Sequence, residues 1–312
     1  MKARSYNIGI DLLKIIACVG VVFLHFGQVG KILDLSVPIF MFVSIFLTKN
    51  LIFDGAIDDF KKRIKRLYIP FVCWGVIYFV GLSIVEYKCN LFDLIMQLTI
   101  GVPANPPMYF IFLLILNTTL LYFVCHLFRW GKYLLVFAFA LCLVLQYSGA
   151  NVRMMQGISF HAQHSLGRFV ELFPISILAY LYSICSGRGK WLLLICALAF
   201  IISFHFLELR LACPGFSYQG INLLLGTVVV CSLGIMSGEI ITQTLPNCIV
   251  DKVKSFASLT AGIYYMHLLI GKILEFLFGR HRGIWEAVIV LTITSVSVYV
   301  IKKIRRISWL VV

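Results

Sequence analysis

The chain has 312 residues, 61% of them hydrophobic and only 13% charged, with a formal net charge of +14. A soluble domain of that length needs a polar skin that this composition cannot supply, so the medium around most of the chain is lipid. The positive charge does not point to nucleic acid, because no nucleic-acid motif occurs and the basic residues lie mostly in short connections between apolar runs.

Several runs approach the ~20 residues that a spanning helix needs, and they are continuously apolar. This predicts an all-α integral membrane bundle and excludes a β-barrel, whose strands alternate. Ten spans are expected, at roughly 8–28, 35–53, 67–85, 108–128, 133–150, 167–184, 191–208, 220–241, 257–278 and 284–302. No repeat, low-complexity stretch or long linker interrupts them, so residues 1–312 read as a single membrane-embedded domain. The first run carries Asp11 and Lys14 with no small-residue cleavage site after it, so it is expected to stay as a first span. Counting Lys and Arg in alternate connections gives eighteen against seven, which predicts both termini in the cytoplasm. The long connections 86–107 and 151–166 then lie outside. The first contains Pro103, Pro106 and Pro107, which break helix, and an amphipathic stretch, LFDLIMQLTIG, that suits an interface. Most of the ten cysteines sit in apolar runs and read as small hydrophobes, while Cys89 and Cys213 fall in outside connections and leave a disulfide open.

The first span reads IGIDLLKIIACVGVVFLHFG. Ionisable groups inside a membrane helix face a partner or a water-filled cavity. At 100° per residue, Lys14 and His25 differ by about 20° around the helix, and Asp11 lies within about 60° of both. The three line one stripe, with about 16 Å along the axis between Lys14 and His25. In one reading Asp11 and Lys14 only snorkel to the inner interface and His25 bonds a neighbouring helix. In the other, the imidazole of His25, deep in the outer half of the core, is a general base for a hydroxyl. The second connection carries KKRIKRLYIP, where Arg63 and Arg66 share a helical face. Two guanidinium groups so placed suit a phosphate, although the run also serves as a topology signal.

These elements resemble the acyltransferase-3 family. Lys14 and His25 match its Arg/Lys-x10-His element in the first helix, and Arg63-Ile-Lys-Arg66 matches its RxxR element. SVPIFMFVSIFLT, RFVELFPISILAYL and SLTAGIYYMHLLI resemble its second-helix, "flpyfllGy" and "SYGIYLIH" segments, in order along nearly the whole chain. Lys14 stands where Arg is usual, Ile45 and Ala179 where Gly is common, and Tyr109 where Trp is frequent. The resemblance implies a small stand-alone O-acyltransferase of the bacterial inner membrane. Such a protein moves an acyl group, most often acetyl, from cytoplasmic acyl-CoA to a surface polysaccharide or its lipid-linked precursor. It implies no permanently bound cofactor and no metal. His25 and Asp11 are the expected catalytic residues, with Lys14, Arg63 and Arg66 holding the CoA phosphates. His25 either deprotonates the sugar hydroxyl or first carries the acyl group itself.

Arg168, Glu171, Tyr109 and His267 are the candidates for the acceptor side. For Arg168 and Glu171, three apart, an internal ion pair is the competing reading. For His267, beside Tyr264 and Tyr265, it is a hydrogen-bonded structural histidine. His161 and His164 lack further metal ligands nearby. Asn117, Gln146 and Glu275 are expected to satisfy one another or water. A transporter or flippase for lipid-linked sugars is the alternative, but neither a duplicated half nor paired broken helices support it. A structural partner in a polysaccharide assembly complex is a third reading.

Overall fold

The computed structural model describes residues 6–27, 34–86, 95, 108–128, 130–156, 165–211, 219–279 and 283–311. Among them the ordered elements are helices. In chain order these are α1 (Ile8–Phe26), α2 (Ser36–Leu47), α3 (Lys49–Asp54), α4 (Ile57–Glu86), α5 (Met108–Leu127) and α6 (Gly131–Gln156). Then follow α7 (Ser165–Ile184), α8 (Gly187–Leu211), α9 (Gln219–Thr244), α10 (Asn247–Ala257), α11 (Thr260–Phe278) and α12 (Ile284–Lys303). A 3₁₀ turn at Ser308–Val311 closes the order. Among the described residues six helices are long and apolar enough to cross a membrane, so this is a multi-pass membrane protein. Their outer faces carry bare hydrophobes such as Phe276, 71% exposed, and Trp285, 80% exposed, which only lipid would cover.

Each of the ten expected segments falls on a helix, with three differences. The second segment is broken at Thr48, whose amide turns to the Ile45 carbonyl three residues back at 2.9 Å, so α2 is a short apolar helix followed by α3. The basic run read as a connection is helical, because α4 begins at Ile57 and runs for 30 residues. At 1.5 Å per residue that is about 45 Å, longer than a ~30 Å hydrocarbon core, so its charged first turns need not be immersed. Finally, 247–257 forms the amphipathic helix α10. The interfacial stretch 91–101 lies, but for Ile95, outside the described residues, as do Cys89, Cys213, His161 and His164.

The chain forms two compact units, one of Met1–Phe40, Lys62–Phe112 and Gly234–Val312, the other of Met41–Lys61 and Leu113–Leu233. In the first unit α1 packs against α10, α11 and α12. Asn7 caps α1, accepting from the Gly9 N–H at 3.0 Å while its own amide donates to the Ile235 carbonyl at 2.9 Å. Small residues allow the close approach: a Cβ on Gly9 would overlap the Gly234 carbonyl, and one on Gly238 would overlap the Asn7 side chain. On another side the ring of Phe26 fills the space above Gly271. The Cys18 thiol meets the Thr260 carbonyl at 3.7 Å. Residue 18 therefore lies beside 260 and residue 26 beside 271, so α1 and α11 run parallel. α4 joins them through Trp74, stacked on Tyr265 with ring centres 6.1 Å apart and donating to the Leu310 carbonyl at 2.8 Å.

In the second unit Asn117 donates to Ser176 at 2.9 Å and touches the Met41 sulfur at 3.8 Å. Lys49 donates to the Ser183 carbonyl at 3.0 Å, and Tyr122 to the Gly55 carbonyl at 3.1 Å. The ring of Phe60 stacks on Tyr122 at 4.2 Å. Glu275 of the first unit pairs with Lys272 at 3.2 Å. Asn117 thus finds its partner across a helix pair, on α7, and Glu275 finds one a turn earlier on α11.

Candidate active site

His25 stands in the last turn of α1, partly exposed. Beside it on α11 lies His267, with ring centres 5.4 Å apart and planes at 36°. His267 is completely buried, and its Nδ1 is 2.8 Å from the Tyr264 carbonyl and 3.2 Å from that of Ile263. Tyr264 walls the pair at 5.8 Å from His267 and is itself packed by Phe40 and Phe110. One turn is pinned from α4. The Tyr78 hydroxyl donates to the Tyr265 carbonyl at 2.6 Å and accepts from the Leu269 N–H at 3.2 Å. It thus sits on the helical rung that encloses His267. Tyr109, next to Phe110, is half-buried.

Toward the start of α1, Lys14 and Asp11 form an ion pair of 2.8 Å. The Tyr6 hydroxyl donates to the other Asp11 oxygen at 2.7 Å, so both carboxylate oxygens are occupied. Burial, and then that bond, push the Tyr6 phenol above its ordinary range. The Lys254 ammonium of α10 lies over the Tyr6 ring at 5.6 Å. Asp11 is 14 residues, about 21 Å, before His25 on the same helix, out of reach for sharing a proton with it.

Arg63 and Arg66 lie one turn apart on α4. Arg66 is exposed, while the Arg63 Nε is buried without a hydrogen-bond partner among the described residues. Among the described residues neither arginine meets a carboxylate. Pro70, inside the helix, has no N–H to give the Arg66 carbonyl, which leaves that oxygen to other donors.

The order of these groups along the chain, His25 after Lys14 and then the arginine pair, is accompanied by a family match. The chain fits the model of the acyltransferase-3 family, described as an acyltransferase domain, over residues 7–303. It belongs to that family. Neither a curated protein nor a solved structure matches it. The first unit of the acyltransferase thus holds an imidazole toward one end of α1 and a group of cations on α1 and α4.

Arg168 and Glu171 of the acyltransferase form an ion pair of 2.9 Å on α7, in the second unit. Sequence reasoning missed Tyr6 as the partner of Asp11 and Tyr78 as the brace on α11. It also named His25 and His267 separately, without bringing them together. A tyrosine or histidine in an apolar run signals a buried polar contact, but it does not say to which helix.

Proposed function

We propose that the chain catalyses transfer of an acyl group, foremost acetyl, from cytoplasmic acyl-CoA to a hydroxyl of a surface polysaccharide or its lipid-linked precursor. It does so in a bacterial plasma membrane, with ten spans and both termini inside. The observation that carries this reading is the placement of His25 against buried His267, far along the helix whose first turns hold Lys14 and Asp11. The basic groups sit at one end of a membrane helix and the imidazole at the other, so a long anionic thioester bridges them.

Arg63, Arg66 and Lys14 bind the CoA phosphates, with Asp11 and Tyr6 holding the Lys14 ammonium in place rather than taking part in proton transfer. His25 removes the proton of the sugar hydroxyl as its oxygen attacks the thioester carbonyl. The C–S bond then breaks, and the CoA thiolate takes the proton back from the imidazolium. Tyr109, in the same unit as His25, is assigned to the acceptor. The test uses purified protein, acetyl-CoA, and surface polysaccharide extracted from a deletion strain, with mass spectrometry of the product. His25→Ala is expected to lose acylation at normal protein level. Near-normal acylation by that variant would remove His25 from the reaction.

A further inference from the structure

The chemistry of His267 follows from its surroundings. A carbonyl only accepts, so the Nδ1 that lies between the Tyr264 and Ile263 carbonyls carries the proton. The other nitrogen, Nε2, is then a bare acceptor. It is fully enclosed and has no hydrogen-bond partner among the described residues, an unfavourable condition for a buried polar atom. A histidine kept only for packing would be better replaced by an apolar ring. The ring that faces it from the neighbouring helix is that of His25, 5.4 Å from centre to centre. At this separation the edge of one imidazole reaches the edge of the other after a small rotation of the partly exposed His25.

We propose that His267 is a positioning residue, whose Nε2 accepts an N–H from His25 and thereby fixes which nitrogen of His25 faces the sugar hydroxyl. The proposal rests on His25 being the base. When His25 takes the hydroxyl proton, both of its nitrogens carry hydrogen, and the one directed at His267 keeps an acceptor. The imidazolium is stabilised by that bond, and the bond is polarised through the Nδ1–H of His267 toward the helix carbonyls. No proton leaves His267, which starts and ends the cycle neutral. The α11 turn is made rigid for this task. Tyr78 binds the Tyr265–Leu269 rung on one side, and Phe40 and Phe110 hold Tyr264 on the other. A neutral imidazole thus serves as the orienting group that acid–base catalysts more often take from a carboxylate.

The full chain is purified in detergent as wild type, His267→Phe, His267→Gln and His25→Ala. Each is assayed with acetyl-CoA and polysaccharide extracted from a deletion strain, and thermal unfolding is recorded in parallel. His267→Phe keeps the bulk and loses the acceptor. Its kcat is expected to fall by about 10- to 100-fold, the size of one hydrogen bond to a charged group. Its KM for acetyl-CoA should stay within about twofold, since ground-state binding is untouched. The carbonyl of His267→Gln reaches close to where Nε2 stood, so it should recover much of that loss. A near-normal kcat for His267→Phe, with His25→Ala inactive, overturns this inference and leaves the base intact. Equal loss in the Phe and Gln variants together with a lowered unfolding temperature assigns His267 to packing and overturns it as well. Activity in His25→Ala removes the base reading on which the inference stands.

Discussion

Lys14→Leu separates the structural and functional parts of the α1 ion pair. Asp11 is only 9% exposed and its carboxylate meets Lys14 at 2.8 Å. At an effective dielectric of about 20 the Coulomb term at that distance is about 6 kcal/mol. Desolvation and side-chain ordering offset most of it, because Lys14 still reaches solvent and the Tyr6 hydroxyl holds the other oxygen. A net loss of about 2 kcal/mol is expected when Leu leaves Asp11 with Tyr6 alone, within the range for hydrogen bonds to charged groups. Lys14→Arg should lose almost none of it, since either cation pairs with the carboxylate, although the fork of Arg sits differently. The double variant Asp11→Leu with Lys14→Leu should recover the stability, as apolar replacements of ion pairs often do. It should not recover acylation if Lys14 holds the donor. The assay is thermal unfolding in detergent for the wild type and the three variants, alongside acetyl-CoA turnover. If Lys14→Leu unfolds like the wild type, the pair is a solvated surface contact. If it is stable or not but fully active, the α1 stripe is not a donor path, and the CoA site must rest on Arg63 and Arg66.

The arginine pair is tested by Arg63→Ala with Arg66→Ala. Each charge-assisted contact to phosphate contributes roughly 1.5–3 kcal/mol, so acetyl-CoA affinity measured by calorimetry should drop by at least about 100-fold. Unchanged affinity with disturbed insertion would assign both residues to topology. Cysteine probes on a cysteine-free background should be labelled from outside at Asn105 and Gly157, and only after permeabilisation at Asp58 and Gly189. The reverse pattern inverts the proposed direction of transfer. Gly9→Val should destabilise the fold by several kcal/mol, because its side chain would overlap the Gly234 carbonyl on α9. The readout is the yield of monodisperse protein, and a normal yield would show that the α1–α9 contact can open without consequence.

Much of the fold was legible without coordinates, because lipid leaves an apolar run one stable backbone form. The expected segments fall on helical stretches for that reason, and six of the described helices are long and apolar enough to span. The spacing of Lys14 and His25 was equally legible, since a helix fixes the angle and rise between two of its own residues. Chain breaks fared less well. At Thr48 the amide turns to the Ile45 carbonyl three residues back and the helix stops, and α4 extends through a charged run that composition alone reads as a connection.

Sequence by itself therefore determined that the chain is a helical membrane protein, which of its helices carry ionisable groups, and how those groups are spaced along each helix. Only the tertiary structure decided which helices meet. Apolar helices in lipid are not sorted by hydrophobicity, and their pairing turns on where small residues let backbones approach. Gly271 admits the ring of Phe26, and that contact sets α11 beside α1 in the register that brings His267 to His25. A shift of one turn, about 5.4 Å, would have parted them, and no periodicity within either helix records that choice.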